Sequence, residues 1–236
     1  MTNNKLQILL DPQHRTTYLR QLLKQDGMSQ VIEDANASYC PISLTSTPQE
    51  VKQVVAQRQL LLIDEVLAPV GITGYDPNSA LYSPDKNLSH LPQEIYIHDS
   101  GKILSCRYFV GFSLIPSTGM GVEIEKAVRF NRIAVILHDI NVRVSRMQPH
   151  RVIYLQYENF AQQIEGFRQV FRLLQQYQPG MGLQGDEPVL LGFHIQTGEV
   201  VNLEQLVYSA FPDLRYRFDA SKPIISLSAT NPEVVV

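Results

Sequence analysis

The sequence has no tryptophan, only two cysteines and no long hydrophobic run. Two cysteines, Cys40 and Cys106, exclude a disulfide framework and a zinc ribbon, because a ribbon needs four clustered ligands. Since no stretch of about 18 apolar residues occurs, the sequence predicts no membrane-spanning segment. The apolar run 6–10 is too short for the core of a signal peptide. We therefore expect a cytoplasmic protein.

The chain also carries little net charge. Its 20 Lys and Arg against 23 Asp and Glu give a net charge of −3 over 236 residues. A balance so close to neutral provides no whole-chain attraction to nucleic acid or to anionic lipid. The 6 histidines are scattered without the spacing of metal ligands. We expect no nucleic-acid partner, no membrane partner and no cofactor.

The middle of the sequence alternates apolar runs with amphipathic stretches. The runs 108–115, 132–137 and 151–156 predict strands that are buried on both faces, as in a parallel sheet. Helices are predicted over 122–130 and 160–176. Strand, glycine-containing loop, helix and strand form a βαβ unit with a right-handed crossover. The pattern predicts an α/β fold, a doubly wound parallel sheet with helices on both faces.

The region before these strands begins with a strong helix start. Residues 47–50 are Thr-Pro-Gln-Glu, which combine a capping threonine, a proline suited to the first helical position and a capping-box glutamate. They predict an amphipathic helix over 51–67. Residues 71–77 predict a short strand and a turn, and the polar residues 78–92 predict a loop. A helix or turn over 94–101 would carry Asp99.

The two ends of the chain are predicted to be additions to an α/β domain at residues 46–176. Residues 1–45 are predicted to be an N-terminal extension, with strands within 6–10 and 39–44 and a helix over 14–25. These elements lack the regular alternation of the central region, so we assign them to a separate segment.

Residues 177–236 are predicted to form a C-terminal hairpin and tail. Within them, 178–182 is predicted to be a linker because it contains proline and two glycines. Residues 189–195 and 199–202 predict a β-hairpin. Asn202 is then placed to cap a short helix, and the final residues are predicted to be loosely ordered.

The stretch that suggests chemistry is 119–127, Gly-Met-Gly-Val-Glu-Ile-Glu-Lys-Ala, directly after a buried strand. Such a loop lies at the carboxyl end of a strand, where doubly wound sheets bind ligands. Gly119 and Gly121 would let the backbone approach a ligand, and the helix N-terminus would hold Glu123, in its first turn, ionised. On spacing alone the simpler interpretation is favoured, an ordinary strand–loop–helix connection, because a third glycine and a Gly-Lys pair are absent.

Gly-x-Gly-x-Glu-Ile-x-x-Ala after a hydrophobic strand is similar to the motif of the nucleoside 2-deoxyribosyltransferase family. This resemblance implies a flavodoxin-like parallel sheet and makes Glu123 the nucleophile that attacks the anomeric carbon of the sugar. The segment 99–105 before a strand resembles the family's segment with an active-site aspartate. By that likeness Asp99 contacts the nucleobase or assists proton transfer.

The same resemblance implies the substrate-binding candidates. A helix followed by 71–77 resembles the family's strand that leads into a variable active-site loop, which makes Tyr75 and Asp76 candidates. Ser117 stands where the family often has an aspartate that grips the base. The family's first strand carries a tyrosine, for which the segment 39–43 is the best match. Homo-oligomers are also typical of the family, so we expect at least a dimer.

Two further groups follow the strand at 132–137. Arg143 and Arg146 could clamp a phosphate, which would make the substrate a nucleotide, or they could be surface arginines of a solvated loop. His138 and Asp139 could form a catalytic pair, but adjacent residues of a strand point to opposite faces.

The leading hypothesis is cleavage or transfer of an N-glycosidic bond in a nucleoside or nucleotide, as a transferase or a hydrolase. A retaining mechanism needs one carboxylate as nucleophile and a second group for the proton, about 5 Å apart. Glu123 and Asp99 would take these roles. The alternatives are a non-catalytic nucleotide-binding sensor on the same fold, or an interaction module formed by residues 177–236.

Overall fold

Two β-sheets organise the part of the chain that the computed structural model describes, which is residues 6–8, 33–43, 47–78, 92–113, 117–142, 149 and 151–215. The strands are β1 (Leu6–Ile8), β2 (Asp34–Tyr39), β3 (Thr73–Tyr75), β4 (Cys106–Phe112), β5 (Ile133–Asp139), β6 (Val152–Tyr157), β7 (Tyr177–Gln184), β8 (Glu187–His194) and β9 (Val200–Asn202). The helices are α1 (Gln49–Leu61), α2 (Pro92–Ser105), α3 (Thr118–Arg129), α4 (Ile164–Leu174) and α5 (Leu203–Ala210).

The first sheet is parallel and has the strand order β3-β2-β4-β5-β6. The chain adds β3 on one side of β2 and then returns to add β4 on the other side. This is the doubly wound, flavodoxin-like order, and the predicted fold class is confirmed. Because the order reverses between β2 and β4, their carboxyl ends diverge into a crevice where such sheets bind ligands.

Helices cover both faces of the parallel sheet. Along β4 the side chains alternate, so that Tyr108 and Val110 pack in the core shared with α1 and α4. Phe109 points to the opposite face and packs with Ile103 of α2 and Ile124 of α3. Every residue of β4 and β5 is buried, which explains why these strands were visible in the sequence as continuous apolar runs.

The first strand of the parallel sheet lies earlier than the sequence indicated. The predicted strand at 39–44 is wrong, because β2 spans Asp34–Tyr39 and pairs with β3 and β4. Its residues Asp-Ala-Asn-Ala-Ser-Tyr are small or polar, so their pattern carries little strand signal. The sheet therefore recruits residues that the sequence analysis assigned to the N-terminal extension.

The predicted helix over 51–67 is present, but its start is built differently. Pro48 is the N-cap residue of α1, and no side chain caps this end. The Thr47 hydroxyl instead donates to the Ser43 carbonyl, so the predicted capping by Thr47 is wrong.

The end of this helix also differs from the prediction. The helical path continues beyond α1 as a π-helical turn over Leu62–Leu67 and a 3-10 turn over Ala68–Val70. Pro69 lies inside that last turn rather than beyond it, and Gly71 ends it with a φ of 77°. That left-handed conformation is one that glycine adopts without strain.

The second sheet is antiparallel, with the order β1-β7-β8-β9. The predicted hairpin is confirmed by the pairing of β8 with β9. The predicted linker at 178–182 is wrong, because these residues lie inside β7. A Cβ at Gly180 would stand 2.2 Å from the Phe193 ring of β8, so this glycine permits close cross-strand packing.

Helix α5 joins the second sheet to the edge of the first. Asn202 caps α5 as predicted, since its Oδ1 accepts a hydrogen bond from the Gln205 amide at 3.1 Å. Leu203 and Val207 are fully buried in the same core as the parallel strands. The Tyr208 hydroxyl accepts from the Tyr154 amide of β6 at 3.0 Å.

Several predictions lie outside the described residues, namely the helix over 14–25, most of the loop over 78–92 and the tail beyond 215. In the part of the chain that is described, no helix has both the length and the apolar character needed to cross a membrane.

Candidate functional site

A cavity of about 350 Å³ opens beside α2 and α3, at the carboxyl ends of β2 and β3. Its volume is within the range of small-molecule sites, roughly 300 to 1,000 Å³. Apolar side chains form much of the wall, and the polar groups that line it include Tyr39, Tyr96, Asp99, Ser117, Glu123 and Lys126. The cavity therefore lies in the crevice that the reversal of strand order creates.

Two carboxyl groups, Asp99 and Glu123, reach this cavity from the neighbouring helices α2 and α3. Each helix buries an apolar stripe on the sheet, with Ile103 one turn from Asp99 and Ala127 one turn from Glu123. The burial of those stripes fixes the rotation of both helices. The carboxyl groups are thereby aimed at the same space.

Glu123 does not occupy the position that the sequence suggested. The prediction of a helix that begins only at residue 122 is wrong, because Ser117 is the N-cap residue and α3 begins at Thr118. The Ser117 Oγ accepts from the Met120 amide at 3.4 Å. Glu123 is the sixth residue of α3 and lies in its second turn, where the helix dipole has less effect on a carboxylate.

The environment of Glu123 favours its protonated form. Burial, and after it the negative charge of Asp99, raises the pKa of Glu123 to about 8, although the hydrogen bond from Tyr39 acts in the opposite direction. The expectation of a glutamate held ionised is therefore wrong for the free protein at neutral pH. The cause is desolvation, which disfavours the charged form of a carboxyl group.

Asp99 is affected by the same cause to a smaller extent. Burial raises the pKa of Asp99 to about 6. Between about pH 6 and about pH 8 the pair carries a single proton.

Tyr39 forms the floor of the site. It is the last residue of β2, it is completely buried, and its hydroxyl donates to Glu123 Oε1 at 3.0 Å. Burial and then the charge of Glu123 raise the pKa of Tyr39 above its usual value. The hydroxyl therefore stays protonated and acts as a hydrogen-bond donor to the carboxyl group of Glu123.

Lys126 and Tyr96 close the side of the cavity where α2 meets α3. Lys126 Nζ donates to the Tyr96 hydroxyl at 2.9 Å and lies 4.1 Å from the centre of that ring. Among the described residues that line the cavity, Lys126 has the only cationic side chain. The site thus has an acidic end at the two carboxyl groups and a basic group on its wall.

The predicted substrate-binding residues are divided between the cavity and its surroundings. Gly119 and Ser117 line the cavity, whereas Gly121 is not among its lining residues. Tyr75 and Asp76 are not among its lining residues, and Asp76 Oδ1 accepts from Gln59 Nε2 at 2.9 Å.

The arginines proposed as a phosphate clamp, Arg143 and Arg146, lie outside the described residues. Asp139, which the sequence offers as a possible partner of His138, forms an ion pair with Arg58 of α1 at 3.0 Å. The same guanidinium donates to the Tyr157 hydroxyl at 2.9 Å. This buried group links α1 to the ends of β5 and β6 and is separate from the lining of the cavity.

Tyr96 and Lys126 were not predicted as site residues, and Tyr39 was included only through segment 39–43, the best match to the family's first strand. Tyr96 is three residues before Asp99, and Lys126 is three residues after Glu123. Residues at that spacing share one face of a helix, so the two carboxyl residues were themselves the signal for their neighbours. For Tyr39 the signal was the similarity of segment 39–43 to the family's first strand, which carries a tyrosine.

No protein-family model matches the chain, and no curated protein matches it. Among the described residues, no three His, Cys, Asp or Glu side chains come together as a group able to hold a metal ion. The chemistry of the site therefore has to be inferred from the groups around the cavity.

Proposed function

We propose that the chain cleaves or transfers the N-glycosidic bond of a nucleoside or nucleotide, with Glu123 as nucleophile and Asp99 as the group that handles the proton. The observation that carries this proposal is the pair of half-buried carboxyl groups on one cavity, with Tyr39 donating to Glu123. The resemblance of residues 119–127 to the deoxyribosyltransferase motif supports the same assignment.

The proposed reaction has two displacement steps. A Glu123 oxygen forms a bond to the anomeric carbon while the bond from that carbon to the base nitrogen breaks. The electron pair of the broken bond stays on the base, which takes up a proton from Asp99. A second base or a water molecule then displaces Glu123 and returns its proton to Asp99, as in retaining glycosidases.

This sequence requires the carboxyl pair to carry one proton, located on Asp99, when the nucleophile attacks. In the free protein that proton resides mainly on Glu123, because its pKa is the higher of the two. The positive charge that develops on the sugar stabilises an ionised Glu123, as does the donated hydrogen bond of Tyr39. Substrate and transition state thus favour the reactive arrangement of the proton.

The decisive experiment compares Glu123→Gln with Glu125→Gln. Both changes remove one carboxyl group from α3, but Glu125 is exposed and does not line the cavity. Each protein is incubated with a panel of nucleosides and 5′-monophosphates, and free base is measured by chromatography. We expect Glu123→Gln to lower the rate of base release by at least about a thousandfold and Glu125→Gln to leave it unchanged.

A covalent intermediate gives an independent measurement. The intact mass of acid-quenched protein should increase by one sugar residue, and the adduct should map to Glu123. Undiminished turnover by Glu123→Gln contradicts the proposal. Tight nucleotide binding by wild-type protein without base release would instead favour a sensor.

A further inference from the structure

Three aromatic rings form a column across the parallel sheet beneath the carboxyl pair. Tyr75 of β3, Tyr39 of β2 and Phe109 of β4 occupy one register row of three neighbouring strands. The ring centres of Tyr39 and Tyr75 are 5.9 Å apart with an angle of 25° between the planes, and those of Tyr39 and Phe109 are 5.8 Å apart at 27°. The Tyr39 ring is therefore held from both sides.

The outer end of this column is attached to the helix that carries Asp99. The Tyr75 hydroxyl and His98 Nε2 of α2 are 3.0 Å apart, within hydrogen-bond distance. Lys102 Nζ, one turn further along α2, lies 4.8 Å from the centre of the Tyr75 ring. Neither Tyr75 nor His98 lines the cavity, so any influence on the site passes through their neighbours.

We propose that Tyr75 and His98 are positioning residues, which hold the Tyr39 ring so that its hydroxyl stays on Glu123. Any effect of Tyr75 and His98 on catalysis rests on the proposed function. Their effect on the pKa of Glu123, through Tyr39, is a property of the free protein. His98 fixes Tyr75, Tyr75 and Phe109 fix the Tyr39 ring, and Tyr39 donates to the carboxylate.

The physical reason lies in the geometry of the hydrogen bond. A tyrosine hydroxyl moves with its ring, and a hydrogen bond weakens steeply when its angle closes or its length grows. Removing the Tyr75 ring opens space on one side of Tyr39, so the ring can tilt away from Glu123. Since this bond favours the ionised carboxylate, its loss makes Glu123 harder to ionise.

Among the described residues, few other charged or titratable groups lie near Glu123 and Tyr39. Asp99 faces Glu123 from α2, and Lys126 follows it on α3. Tyr39 faces it from β2. His98 and Lys102 surround Tyr75, and the pKa of His98 is lowered by burial and by the charge of Lys102. At neutral pH and above, His98 is therefore uncharged, and removing it changes the hydrogen bond without removing a charge.

The test measures the ionisation of Glu123 directly, by NMR titration of protein labelled with ¹³C at the glutamate carboxyl carbon. The signal is assigned by its absence in Glu123→Gln. Tyr39→Phe removes the hydroxyl and so shows the effect of losing the hydrogen bond completely. We expect it to raise the titration midpoint of Glu123 by about one pH unit or more. We expect Tyr75→Leu and His98→Leu to shift the midpoint in the same direction by a smaller amount.

Tyr208→Phe is the matched control, because it removes one tyrosine hydroxyl that accepts from the Tyr154 amide away from the cavity. It should leave the Glu123 midpoint unchanged. If Tyr75→Leu does not fold, Tyr75→Phe replaces it, since this variant keeps the ring and loses only the bond to His98. A midpoint that stays at the wild-type value in the Tyr75 variant or in His98→Leu overturns the proposal.

These outcomes are independent of turnover. If the wild-type protein cleaves no nucleoside, the proposed function fails, while the titration still reports whether Tyr75 and His98 act on Glu123. If turnover is present and the midpoints do not move, the positioning role fails and the proposed function remains.

Discussion

At the scale of single residues, two chemically similar carboxylic acids acquire different properties from their surroundings. Burial raises the pKa of Asp99 to about 6, whereas burial and the charge of Asp99 raise that of Glu123 to about 8. Groups whose environments separate their pKa values are suited to different roles in acid and base chemistry. The difference between the two pKa values arises from tertiary contacts and could not be predicted from the residue types alone.

The pH dependence of the proposed base release would follow from this pair. Below about pH 6 both carboxyl groups are protonated and no nucleophile is available, and above about pH 8 no proton remains for the leaving base. We expect kcat/KM to follow a bell-shaped curve between these values. In Tyr39→Phe the alkaline limb should move to higher pH, because the hydrogen bond that favours ionised Glu123 is lost. Initial rates measured across this range check the prediction, and a curve without an alkaline limb would contradict it.

At the scale of elements, the start of α3 shows why the glycines were misjudged. Glycine is common in loops, so the stretch that precedes residue 122 predicted a loop. The structure places Gly121 inside α3, and a Cβ built there meets no atom within 4 Å. Packing therefore does not require a glycine at this position, and the effect of a substitution is decided by helix propensity.

Gly121→Ala should accordingly stabilise the protein. In a helix interior alanine is favoured over glycine by about 0.8–1 kcal/mol, because glycine loses more backbone entropy on folding. Gly192→Ala is the contrasting variant, since its Cβ would stand 2.4 Å from Leu203 Cδ2 at the junction of β8 and α5. Urea denaturation should give a higher midpoint for the first and a lower one for the second. A lower denaturation midpoint for Gly121→Ala than for wild type would contradict the prediction, because it would mean that other atoms occupy the space of the added Cβ.

At the scale of the whole molecule, the half-buried carboxyl groups make the free energy of unfolding depend on pH. Folding raises the pKa of Glu123 from 4.5 to about 8, so between these values the folded protein retains a proton that the unfolded chain has released. Stability from this group is therefore fully present below about pH 4.5 and is lost as the pH rises towards 8.

The difference in unfolding free energy between wild type and Glu123→Gln isolates this group. Between about pH 6 and about pH 8 wild-type stability should fall relative to the variant by up to about 1.4 kcal/mol per pH unit. Urea denaturation at several pH values measures the slope. Glu125→Gln, whose side chain is exposed, should keep the wild-type slope. A difference that does not vary with pH would show that Glu123 is not buried as a titrating acid.

The sequence by itself determined the doubly wound core and the cap at Asn202, and its resemblance to a known motif made Asp99 and Glu123 candidate residues. These features depend on periodicity and on short motifs, which are local properties of the chain. Only the tertiary structure decided that β1 pairs with β7, that Tyr39 donates to Glu123 across 84 positions, and that Glu123 is protonated at neutral pH. Each of these depends on groups that folding brings together from distant segments, and on the water that their packing removes.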